Sequence, residues 1–200
     1  MKIAITYNAD THLKPHLNEV ERLGEDEVAE SARDVFAALS RHYDCALFPV
    51  GDCITTALLE IRAYAPDVVF NLCEGVLGRT HWEAHFVLAL DLLGIPYCGC
   101  DAVTIALTQD KGFIKQLLRQ IGAPTPEGRA VPPGCAEEPV LEDIRGLLER
   151  APSGRVIVKP CCEDGGIGVD SSSVVHDPEA ALARCREIWA VYQQSALVET

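Results

Sequence analysis

Hydrophobic positions along the chain alternate between short unbroken runs and longer stretches where they recur every three or four residues. KIAIT from Lys2, CALFPV from Cys45 and DVVFNL from Asp67 are apolar almost throughout, the pattern of strands covered on both faces. Between them, Val28, Ala32, Val35, Phe36 and Leu39 fall at helical spacing and predict a helix from about Asp26 to Arg41. Ile54–Tyr64 and about His81–Leu93 read as further helices, the latter stopped by Gly94 as a C-cap glycine. IPYCG from Ile95 is a short fourth strand. Such alternation predicts an α/β domain, a doubly wound parallel sheet with right-handed crossovers.

The character changes in the second half. A helix from about Gln109 to Ile121 carries Phe113, Ile114, Leu117, Leu118 and Ile121, and GAPTPEG then breaks the pattern with two prolines. PPGCAEEP from Pro132 reads as a loop and Val140–Arg150 as a helix. RVIVKP from Arg155 is a strand, CEDGGIG from Cys162 a glycine-rich loop, and VDSSSVV from Val169 a returning strand. Asp177 and Pro178 pair as N-cap and first-turn proline for a helix to about Tyr192, and ALVET from Ala196 begins another strand. The best boundary lies near residue 107, giving domains 1–107 and 108–200.

Charge and composition narrow the function classes. With 17 Lys and Arg against 30 Asp and Glu, the formal net charge of -13 argues against a nucleic-acid partner, which needs clustered cations. No stretch is long and apolar enough to span a bilayer, and the run Ile3–Ile5 is too short for a signal-peptide core, so the cytoplasm is the expected compartment. None of the nine cysteines forms a C-x-x-C pair, and reduced structural thiols are expected.

The candidate chemistry centres on RVIVKPCCEDGGIGV. A strand delivers Lys159, and Gly165, Gly166 and Gly168 let successive amides face one concavity, an anion-binding nest beside a cation. The order is not that of a Walker loop, and an ordinary hairpin with a surface lysine reads the same way. Lys111 sits in the first turn of a helix, where a phosphate would offset its unfavourable place against the dipole; a solvated lysine is the plainer alternative. Glu74 follows an apolar strand directly, where doubly wound sheets place ligands, and could hold an ammonium or cap the next turn. Glu25 reads as a solvated acid or a substrate contact, and Glu199 as a lone acid or an adenine contact.

In this order, DVVFNLCEGV, LGIPYCGCD, the DK pair at Asp110, GAPTP, VIVKPCCEDGGIGV and ALVET resemble the D-alanine–D-alanine ligases and their relatives in the ATP-grasp family. The likeness is good over about residues 66–200 and topological before that. It implies a pre-ATP-grasp domain followed by an incomplete ATP-grasp subdomain of α+β type. It also implies that Lys111 and Lys159 contact ATP phosphates, that Glu163, Asp164, Gly165, Gly166, Ile167 and Gly168 cover them, and that Glu199 faces the adenine. Glu25 would match the acid that orients the first substrate's amino group, and Glu74 stands where the family has a histidine. Gly165 and Gly166 replace the loop serines, and Arg79 replaces an acid, which weakens any expectation of D-alanine specificity.

The activity the resemblance implies is ATP-dependent carboxylate–amine ligation through an acyl phosphate, with amino-acid or peptide substrates and magnesium. The family's magnesium ligands and clamping arginine lie further along than Thr200, so these 200 residues are expected to show no turnover alone. A homodimer stays open. So do two rival readings: a non-catalytic nucleotide- or partner-binding module, and a ligase with another acceptor. A plain dinucleotide-binding Rossmann enzyme is not expected, because KIAIT leads into YNADTHLKP without G-x-G-x-x-G.

Overall fold

The computed structural model describes residues 1–9 and 11–200, and the chain divides into two compact units, Met1–Ala106 and Leu107–Thr200. In the first, strand β1 (Lys2–Asn8) is followed by helix α1 (Glu19–Leu39), β2 (Asp44–Val50), α2 (Ile54–Tyr64), β3 (Val68–Leu72), α3 (Glu83–Leu92) and β4 (Tyr97–Cys98). The sheet runs β2-β1-β3-β4 and every pairing is parallel. Side chains alternate across a strand, so Ile3 and Ile5 pack under Ala32, Val35 and Phe36 of α1. Ala4, from the same strand, joins Ala57 and Ile61 of α2 and Phe86 and Leu90 of α3 on the opposite face. The unit is doubly wound, as its apolar strands imply.

Two local features depart from the periodicity. α1 begins at Glu19, well before Asp26, because Asn18 and Glu21 form a reciprocal capping box. Its first turns expose Val20 and Leu23, so the apolar rhythm does not mark them. An unforeseen helix, α4 (Ala102–Gln109), starts where the Asp101 carboxylate accepts the Thr104 amide at 2.8 Å.

The second unit contains α5 (Lys111–Gln120), β5 (Gly128–Val131), α6 (Glu137–Arg150), β6 (Val156–Pro160), β7 (Val174–Val175), α7 (Pro178–Tyr192) and β8 (Ala196–Glu199). Its sheet is antiparallel, in the order β5-β8-β6-β7. One face holds Val131, Val156, Val158, Ala196 and Val198 against Ile144 of α6 and Leu182, Cys185 and Ile188 of α7. By alternation, the other carries Ala130, Ile157, Lys159, Leu197 and Glu199, and α5 lies there. The return from β6 is shorter than VDSSSVV suggests. Asp170 and Ser173 bond each other's backbone and wind Ser171–Ser173 into a 3-10 turn, leaving a two-residue strand. β5, whose GRAV lacks a strand signature, is a further addition.

Candidate functional site

Register builds the site on the α5 face. Lys159 lies opposite Leu197, and Ile157 opposite Glu199, so Lys159 and Glu199 are diagonal neighbours. The Lys159 ammonium pairs with Glu199 Oε1. Gly128 lies across from Glu199, where an added Cβ would sit 2.6 Å from the glutamate's Cβ. From α5, Lys115 reaches the same carboxylate and pairs with Glu199 Oε2 at 2.5 Å. The close approach of α5 depends on Gly112, whose added Cβ would meet the Ala130 Cβ at 2.7 Å.

Lys111 stands one helical turn before Lys115, on the same side of α5. The Lys111 amide donates to the Cys161 carbonyl at 3.0 Å, which ties the start of α5 to the end of β6. Asp110 caps the helix by accepting the Phe113 amide at 3.0 Å. The Lys111 ammonium donates to the Glu163 carbonyl and pairs with Asp164 Oδ1 at 2.9 Å. Lys111, Lys159, Glu199 and the glycine loop are therefore gathered on one surface of the second unit.

Gly165, Gly166 and Gly168 have φ of +60°, +82° and +72°, a left-handed run that L side chains rarely adopt. Gly168 is also confined sterically, since an added Cβ would lie 2.5 Å from Pro160 Cγ. The Ile167 and Val169 amides close turns onto Asp164 and Gly166. The amides of Asp164, Gly165 and Gly166 donate to no protein group among the described residues, and all three residues are exposed. Three consecutive unpartnered amides beside a lysine are an anion-binding arrangement.

Sequence reasoning missed two members of this cluster. Lys115 is buried, although its spacing four residues after Lys111 was a readable signal. Gln194 donates to Glu163 Oε1 at 2.8 Å and accepts the Cys162 amide at 2.6 Å, pinning the loop's root with nothing in the local sequence to mark it. Burial would raise the Glu199 carboxyl, but the hydrogen bonds and charges of Lys115 and Lys159 outweigh it and hold the group below its ordinary value. Burial pushes the Cys161 thiol up to about 12 and the Cys162 thiol up to about 11.

Glu25 and Glu74 belong to the first unit. Glu25 lies within α1, and its carboxylate pairs with the buried Lys14 ammonium at 2.5 Å. Glu74 is exposed just past β3, where its amide donates to Asn8 Oδ1 at 2.7 Å and Asn8 Nδ2 donates to the Gly75 carbonyl. That links the carboxyl ends of β1 and β3, the point where the strand order reverses. Among the described residues, no three His, Cys, Asp or Glu side chains group in a way that could hold a metal ion. All nine cysteines are free, and no described helix is long and apolar enough to cross a membrane.

No family model matches the chain. Its sequence is 35% identical to a D-alanine–D-alanine ligase of Halorhodospira halophila over 166 residues, 82% of this chain and 47% of that protein. It is 27% identical to the corresponding ligase of Gluconobacter oxydans over 201 residues, 100% of this chain and 57% of the relative. An uncharacterised protein of Sinorhizobium fredii is 34% identical over 175 residues, 84% of this chain and 47% of that one. Among solved structures, the D-alanine–D-alanine ligase of Bacillus anthracis complexed with ATP superposes with a TM-score of 0.69 at 18% identity, over 100% of this chain and 58% of that one. The ligase from Coxiella burnetii gives a TM-score of 0.68 at 17% identity, over 100% and 63% of the two chains. The chain thus spans about half the length of the curated relatives it matches.

Proposed function

Because this chain is D-alanine–D-alanine ligase-like in sequence and in fold, we propose that it serves an ATP-dependent carboxylate–amine ligation and that its second unit holds the nucleotide's phosphates. The observation that carries the reading is the meeting of Lys111, Lys159 and three unpartnered loop amides on one face. In such a ligation the γ-phosphoryl group passes to a substrate carboxylate, an amine attacks the acyl phosphate, and phosphate leaves. Little covalent work falls to the protein, and positioning and charge neutralisation dominate. Lys111 and Lys159 supply the positive charge. The amides of Asp164, Gly165 and Gly166 orient phosphate oxygens, and the loop keeps water from the acyl phosphate.

Titration of the chain with ATP by calorimetry tests the phosphate role. Lys159→Met is expected to weaken binding by about 1.5–3 kcal/mol, the range for a charge-assisted contact. An unchanged dissociation constant in the folded variant would remove Lys159 from the site.

A further inference from the structure

Lys115 is 6% exposed, and neither of the phosphate contacts proposed above uses it. A buried ammonium is costly in a helix that could carry Leu or Met there, so its partners matter. It donates to Thr125 Oγ1 at 3.0 Å and pairs with Glu199 Oε2 at 2.5 Å. The other oxygen, Oε1, takes Lys159. One carboxylate therefore stands between two ammoniums, and the cluster of Lys115, Lys159 and Glu199 carries a net charge of one positive. Across from Glu199, β5 presents Gly128, which has no side chain to charge and whose carbonyl accepts from the Arg119 guanidinium at 2.9 Å.

We propose that Lys115 is a positioning residue for phosphate binding: by taking up one oxygen of Glu199, it leaves the charge of Lys159 available to a ligand. The role rests on the nucleotide reading given above. An ammonium has three donors, and Lys159 spends one on Glu199 Oε1, keeping the others for phosphate oxygens. Without Lys115, both oxygens of Glu199 turn to Lys159 and the local net charge falls to zero. A polyanion then meets a neutral pair in place of a cation, in a setting that water only partly screens.

Inorganic tripolyphosphate is the appropriate probe, because it lacks the adenine that Glu199 could also contact. Binding is measured by calorimetry on the full chain, with thermal melting to confirm folding. Lys115→Met is expected to weaken tripolyphosphate binding by roughly tenfold. The double variant Lys115→Met with Glu199→Gln leaves Lys159 unopposed, restores the single positive charge, and should return to within about threefold of the original affinity. A merely structural lysine would not be rescued by removing its partner's charge. If Lys115→Met does not fold, Lys115→Gln, which keeps a donor for Thr125, carries the same expectation. Unaltered binding in the folded single variant overturns the proposal, as does a folded double variant no better than the single one. Failure of the unmodified chain to bind either tripolyphosphate or ATP instead overturns the nucleotide reading itself.

Discussion

At the scale of single residues, the acids of the candidate site oppose the anion proposed for its lysines. Asp164 Oδ1 occupies the Lys111 ammonium at 2.9 Å, and a phosphate arriving there must displace it. Asp164 is about half exposed, so the pair is worth at most about 1 kcal/mol. Asp164→Asn should therefore tighten ATP binding by up to about fivefold, read as a fall in the dissociation constant, with the gain shrinking as salt rises. The thiols divide in a similar way. Cys53 is exposed at the head of α2, and hydrogen bonds from Thr56 lower its thiol, whereas burial pushes Cys161 and Cys185 up to about 12. Since the thiolate is the nucleophile, brief iodoacetamide treatment near neutral pH should label Cys53 well before Cys161 or Cys185, as peptide mass spectrometry would show. Lys111 and Lys159 were legible because each adjoins a recognisable element, DK before a helix and VIVKP before a glycine run. Gln194 was not, because its targets, Cys162 and Glu163, lie about thirty residues earlier in the chain.

At the scale of elements, caps and glycines do more than propensity. Asp177 Oδ1 accepts the amides of Glu179 and Ala180, so Asp177→Ala should cost about 1 kcal/mol of stability in urea unfolding. Hydrogen bonds from Ala180 and Glu179 hold the Asp177 carboxyl below its ordinary value. A depressed carboxyl stabilises the fold above its unfolded-state value, and the stability is lost as pH falls through the folded-state value. The destabilisation caused by Asp177→Ala should accordingly be full near neutral pH and shrink as pH falls through the usual carboxylate range and below it. Gly128→Ala is a harsher change. Its Cβ would meet the Val198 carbonyl at 2.7 Å, and backbone cannot swing aside, so a cost of about 1–3 kcal/mol and a loosened β5–β8 pair are expected. The elements that periodicity missed, β5 and α4, are short and owe their form to neighbours or to a cap. Those it found, such as α2 and α7, bury a continuous stripe.

For the whole molecule, the formal net charge of -13 sets a background repulsion that the ion pairs do not cancel. Raising sodium chloride from about 10 to 150 mM should raise the midpoint of thermal unfolding, because screening relieves the long-range repulsion more than it weakens close pairs. By itself the sequence determined the sheet type of the first half. Apolar runs and helical spacing are local, and a strand or helix needs only its own residues to declare which face it buries. It also singled out Gly165, Gly166 and Gly168, whose left-handed backbone angles favour glycine. The partners of those residues were decided only by tertiary structure. Placing β8 between β5 and β6 sets Glu199 beside Lys159, and packing α5 across that sheet brings Lys115 to the same carboxylate. Positions 115, 159 and 199 meet through strand order and register, and no local pattern encodes either.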